Sequence, residues 1–221
     1  MGFQIASQKQ SSRLFFFALS LGTFLAFGFQ PLCLSLAEAL EHTESQPFIF
    51  LGLSFLFFIS LPSPPTPKPN YFSTKQLIRL SILPLLISMG FGAFKSPLEI
   101  GNPHLLKKTL LWSWILVPIA EELLFRGWMV NLFDRWLGSA YSSWEPFFPI
   151  SLWASALSFS VWHLQNLFSY PPSVVLFQVL YTFFVGIWLG VIQWQTRKLK
   201  YAILGHFLLN FAADWKLLFM L

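Results

Sequence analysis

Residues 109–133 read TLLWSWILVPIAEELLFRGWMVNLF. A stretch of this length can cross a bilayer, which takes about 20 mostly apolar residues. Yet Glu121, Glu122 and Arg126 fall near its middle. A charge at the centre of a spanning helix costs about 2.5–3.5 kcal/mol, so three cost roughly 8–10 kcal/mol. The Leu, Ile, Val and Phe residues of the stretch return roughly 5 kcal/mol in total. A lipid-facing placement therefore does not balance. These three side chains must face one another, other helices or a water-filled cavity.

The rest of the chain supports a membrane setting. Of 221 residues, 55% are hydrophobic, with 27 Phe and 10 Trp, and only 10% are charged, against about 25% in an average soluble domain. A soluble domain could not cover that much apolar side chain, and a disordered chain needs the opposite composition. Cys33 is the single cysteine, which excludes a disulfide framework and a cysteine-based metal site. The net charge of +5 raises nucleic acid as a partner. However, the basic residues come in twos and threes between apolar runs and form no basic face, so no nucleic-acid partner is expected. The expected fold is an all-α polytopic transmembrane helix bundle.

Seven stretches qualify as spans, near 14–37, 47–62, 76–94, 109–133, 150–168, 172–195 and 201–220. Pro31, Pro84 and Pro118 lie inside spans and should kink them. With alternating sides, Lys9, Arg13, Lys68, Lys75, Arg79, Arg135, Arg197, Lys198 and Lys200 collect on one face. Lys95, Lys107, Lys108 and Lys216 collect on the other, together with the acidic loop of Glu38, Glu41 and Glu44. The positive-inside rule then puts the N-terminus in the cytoplasm. The first span ends at Ser35-Leu36-Ala37 like a signal peptide, but six spans behind it favour an uncleaved anchor. A Pro-rich segment, 62–71, reads as a cytoplasmic linker. The chain divides into residues 1–104, holding the N-terminal spans and linker, and residues 105–221, holding the last four spans.

Helical geometry separates the charged residues. Glu122 and Arg126 are four apart and neighbours on one face, in the favourable order. Glu121 points elsewhere. This marks Glu122–Arg126 as a supporting ion pair and Glu121 as the free carboxylate; a structural polar knot is the alternative. Two further polar positions interrupt apolar runs. His163 lies one turn after Phe159, and His206 and Asn210 share a face of the last span. A buried carboxylate, two histidines and an asparagine on three spans can together activate water and stabilise an oxyanion.

The string Glu121-Glu122-Leu123-Leu124-Phe125-Arg126, with Phe159-x-x-x-His163 and His206-x-x-x-Asn210, resembles the CAAX protease and bacteriocin-processing (CPBP, or ABI) family of intramembrane glutamic endopeptidases. The likeness covers roughly residues 105–215, including Gly186 and Gly190, which read as a close-packing helix face. It implies that Glu121 is the general base and that His163 helps to hold the attacking water. It implies also that His206 and Asn210 stabilise the tetrahedral oxyanion, with Glu122, Arg126 and Phe159 in support.

The resemblance implies no cofactor. The rival is a zinc site of Glu121, His163 and His206 with an open position, for which no His-Glu-x-x-His string exists. Expected partners are membrane lipid and a membrane-associated peptide or protein substrate: a CAAX-type peptide, a bacteriocin-type precursor or a C-terminal sorting tail. The expected location is a bacterial inner membrane. The alternative function is non-catalytic, either bacteriocin immunity or scaffolding, or a small proton-coupled transporter using Glu121.

Overall fold

The computed structural model describes residues 16–29, 32–33, 35, 46–60, 72–94, 110–137 and 149–216. Among them there are seven helices and no strand. α1 is Phe16–Phe29, α2 Gln46–Ser60 and α3 Thr74–Phe94. α4 spans residues 110–137. α5 is Ile150–Trp162, α6 Pro172–Thr196 and α7 Leu199–Ala213.

The seven helices follow the seven expected spans in order, but several are shorter. The 15 residues of α7 reach about 22 Å, against a hydrocarbon core of roughly 30 Å. Of the described helices, α6 alone is long and apolar enough by itself to cross a membrane. α5 gives way at His163 to the 3-10 turn His163–Phe168. Pro31, Leu36 and Ala37, the acidic loop of Glu38, Glu41 and Glu44, the linker 62–71 and the basic loop 95–108 lie outside the described residues.

α4 to α7 run alternately up and down. α6 and α7 are joined by a tight turn in which Arg197 takes a φ of 56° and its N–H meets Gln193 O at 2.8 Å. This is a left-handed helix stop of the kind usually filled by glycine. Asp134, near the end of α4, sits by Arg197; burial raises its carboxyl above the ordinary range and Arg197 opposes the shift. At the other end, Trp114 Nε1 of α4 donates to Asp214 Oδ2 after α7 at 3.1 Å. There too Asn166 Nδ2 donates to Gln178 Oε1 at 2.8 Å, tying the end of α5 to α6.

α5 is the hub. Its Ser155 Oγ donates to Phe125 O of α4 at 2.7 Å, its Ser158 Oγ to Ala18 O of α1 at 2.8 Å and its Ser160 Oγ to Val179 O of α6 at 2.6 Å. Such bonds between helices in an apolar medium average about 0.6 kcal/mol. Gly186 and Gly190 let α6 approach closely. A Cβ at Gly186 would lie 3.0 Å from Ala156 Cα, and one at Gly190 2.7 Å from Leu152 Cγ. α2 covers α4, where the Phe57 and Trp128 rings are 4.9 Å apart. α3 covers α6 and α7, with Ser88 bonded to the Tyr181 hydroxyl. Ile78, Leu83 and Leu86 of α3 and Leu176 and Phe184 of α6 point outward, more than half exposed. Such a surface is poorly solvated by water.

α4 is not uniform. Two π-helical segments, Trp112–Leu116 and Leu123–Met129, flank the α-helical Val117–Glu122. In the first, the Val117 N–H reaches back five residues to Trp112 O. The next bond in that register would run from residue 118 to Ser113 O, but Pro118 has no N–H. Asn210 Nδ2 of α7 donates to that carbonyl instead, at 2.9 Å. The expected proline distortion of the fourth span therefore takes the form of a register change, the kind of irregularity found often at functional sites.

Candidate active site

The two carboxylates of α4 sit between its π-helical segments. Glu121, Glu122, Arg126 and His206 are all buried. The expected ion pair is formed: Arg126 Nη1 donates to Glu122 Oε1 at 3.0 Å. Arg126 Nη2 donates to the carbonyl of Gly186 at 3.1 Å, an approach that a Cβ at residue 186 would crowd. The guanidinium also lies over the Phe159 ring, 4.3 Å from its centroid. Arg126 thus ties α4 to both α5 and α6.

Glu121 and Glu122 do not point to separate neighbourhoods. Both reach the imidazole of His206, one at each nitrogen: Glu122 Oε1 is 2.9 Å from Nδ1 and Glu121 Oε2 is 3.6 Å from Nε2. The ring nitrogens diverge, so adjacent helix positions can address one imidazole from two sides. A carboxylate on Nδ1 orients the ring and sets its tautomer, as in hydrolase triads. Glu122 Oε2 is buried and has no hydrogen-bond partner among the described residues.

Glu121 has a second anchor that the spacing argument missed. Trp162 Nε1 donates to its Oε1 at 3.1 Å. Trp162 stacks on Phe50 of α2, with centroids 5.6 Å apart and planes 12° apart. The only sequence signal was its place beside His163, and an aromatic in an apolar run carries no mark of function.

The four expected catalytic residues are only partly assembled. Phe159 is the hinge between two of them, with ring centroids 4.9 Å from His163 and 5.8 Å from His206. His163 Nδ1 lies 2.8 Å from the Phe159 carbonyl one turn before it. Asn210 is engaged with Ser113 O and no bond joins it to His206 among those found. Among the described residues, no three His, Cys, Asp or Glu side chains converge as ligands for a metal ion.

Glu121 opens on a cavity of about 150 Å³. Trp112, Val117, Trp162 and Gln165 line it from the core, and Cys33 and Phe50 from the N-terminal part of the chain. The wall is therefore apolar and aromatic, with a carboxylate and a carboxamide as its polar groups.

Residues 104–212 match the family model described as type II CAAX prenyl endopeptidase Rce1-like. No curated protein and no solved structure matches the chain. The matched stretch holds Glu121, Glu122, Arg126, Phe159, His163, His206 and Asn210, whereas Cys33 and Phe50 precede it. Members of this family are membrane-embedded and act on membrane-associated protein substrates. Through residues 104–212 the chain belongs to the CPBP family, in its Rce1-like, type II CAAX prenyl endopeptidase group.

Proposed function

We propose that the protein is an intramembrane glutamic endopeptidase, hydrolysing a CAAX-type membrane-associated protein or peptide with water activated by Glu121. The observation that carries this reading is the setting of Glu121. One carboxylate oxygen is held by Trp162 Nε1 and the other faces His206 Nε2 at 3.6 Å, at the edge of a cavity. A water about 2.8 Å from both Glu121 Oε2 and His206 Nε2 completes a triangle of ordinary hydrogen-bond lengths.

In the reaction, the water oxygen adds to the scissile carbonyl carbon and its proton passes to Glu121. The tetrahedral oxyanion is stabilised by donors from His206 and Asn210. The C–N bond then breaks, and Glu121 returns the proton to the departing nitrogen. Asn210 has two N–H groups, so it can serve the oxyanion while keeping Ser113 O. His163 turns from the Phe159 carbonyl to hold the water. Glu122 and Arg126 keep His206 and α4 in place. No metal takes part. The protein crosses a bacterial inner membrane seven times, with its N-terminus in the cytoplasm.

The test is comparative mass spectrometry of membranes carrying wild type, Glu121→Ala or Glu121→Gln at equal expression. Cleaved C-termini found with the wild type alone are expected and identify the substrate. Equal cleavage by both variants defeats the proposal. Activity that survives exhaustive chelation is expected; loss restored by zinc alone overturns the metal-free mechanism.

A further inference from the structure

Gln165 belongs to no motif of the sequence, and its side chain is unlike the rest of the cavity wall. It sits two residues after His163 in the 3-10 turn that follows α5. It lines the same cavity as Glu121, together with Cys33, Phe50, Trp112, Val117 and Trp162. Its Oε1 is buried and has no hydrogen-bond partner among the described residues. A buried acceptor left unmatched is costly, and native proteins leave few of them. The nearby Asn166 shows the contrast, since its carboxamide is committed to Gln178 Oε1 at 2.8 Å.

Among the described residues, no side chain of the wall donates to that oxygen. Trp162, the neighbour with a strong donor whose partner is defined, gives its N–H to Glu121. What can satisfy it is a donor carried into the cavity. A peptide laid against Glu121 brings one, because every residue except proline has a backbone N–H.

We propose that Gln165 is a substrate-binding residue, its Oε1 accepting a backbone N–H of the peptide and so fixing which carbonyl is presented to Glu121. This rests on the hydrolase reading above. It adds a polar contact in the cavity that Glu121 lines, and it explains why a carboxamide sits in a largely apolar wall. A contact to the backbone selects register rather than side chain. It acts alike in the ground state and the transition state, and therefore appears in KM.

The experiment uses the full-length protein in detergent or vesicles and a fluorogenic farnesylated CAAX-type peptide. Gln165→Met keeps the length and removes the acceptor. The expected result is a rise in KM of about tenfold with kcat nearly unchanged. A series of peptides N-methylated at one backbone position each provides the second arm. One member should lose about tenfold in kcat/KM with wild type and little with Gln165→Met, since the partner is already gone. Equal KM for wild type and Gln165→Met, or an N-methyl penalty that is the same in both, overturns the proposal. Glu121→Gln separates the two claims. If it cleaves as well as wild type, the hydrolase reading falls. If it is dead while Gln165→Met is unaffected, only the role of Gln165 falls. A wild type that leaves the peptide uncut overturns both.

Discussion

Glu122 Oε1 lies 2.9 Å from His206 Nδ1 and 3.0 Å from Arg126 Nη1, so one carboxylate oxygen serves the histidine and the arginine together. Removing the acid strips a buried guanidinium of its counter-charge, which typically costs about 3–5 kcal/mol. Glu122→Leu should therefore fail to fold or melt far below wild type. Glu122→Leu combined with Arg126→Met should recover much of the loss, because no buried charge is left over. Thermal unfolding in one detergent compares them; a double variant less stable than Glu122→Leu contradicts the pairing.

Trp162 offers a cleaner probe of the base. Trp162→Phe keeps a ring against Phe50 but removes the N–H that holds Glu121 Oε1 at 3.1 Å. A hydrogen bond to a charged group is worth about 1.5–3 kcal/mol. The expected loss in kcat/KM is about 10- to 100-fold, with unfolding temperature little changed. Wild-type rates would show that Glu121 needs no such anchor.

Pro118 and Asn210 are coupled through the Ser113 carbonyl. Asn210→Ala leaves that carbonyl without its 2.9 Å donor and should cost about 1 kcal/mol of stability. In a Pro118→Ala background the main chain regains an N–H that can reach Ser113 O, so the same substitution should cost less. A double-mutant cycle reads the difference; strict additivity would sink the idea. Activity separates the second role of Asn210, since loss of an oxyanion donor lowers kcat by about 10²–10³.

Gly186→Ala forces a methyl to within 3.0 Å of Ala156 Cα and 3.3 Å of Arg126 Nη2. Overpacking of this sort costs about 1–3 kcal/mol, and here it also displaces the arginine that supports Glu122. Both melting temperature and kcat should fall. Gly90→Ala, where nothing lies within 4 Å of the added Cβ, is the control and should leave both alone.

Asp134, beyond the expected span 109–133, gives a pH signature. Burial raises its carboxyl above the ordinary value of 3.8. A group with a raised folded pKa favours folding most below its unfolded pKa, and that contribution fades as pH rises through the folded one. Asp134→Asn removes the fade. The variant should therefore gain on wild type in unfolding temperature as pH rises from about 4 to about 7. A gap that narrows over this window would contradict the burial effect.

What could be read from the chain follows from where the free energy is large. Three charges in an apolar stretch are costly enough to betray burial, so Glu121, Glu122 and Arg126 stand out, and helical spacing finds the Glu122–Arg126 pair. The number and order of helices follow from apolar run lengths and prolines. The sharing of His206 by both acids was not legible, because a 100° step per residue separates Glu121 from Glu122 and hides the reach of an imidazole with two diverging nitrogens. The π-helical segments of α4 were equally hidden, since they depend on neighbouring helices. Trp162 and Gln165 lacked any distinguishing signal beyond nearness to His163, being respectively one aromatic among many and one amide beside another.

The stack of Phe50 on Trp162, with Cys33 in the same wall, has an evolutionary consequence. The part of the chain that matches the family holds the proposed reacting groups, but the preceding residues furnish a side of the chamber and brace the indole that donates to Glu121. Selectivity can therefore drift by substitution at positions such as 33 and 50 while every reacting group stays fixed. A fragment beginning at residue 105 would keep its motif residues and lose both the brace and that side of the chamber.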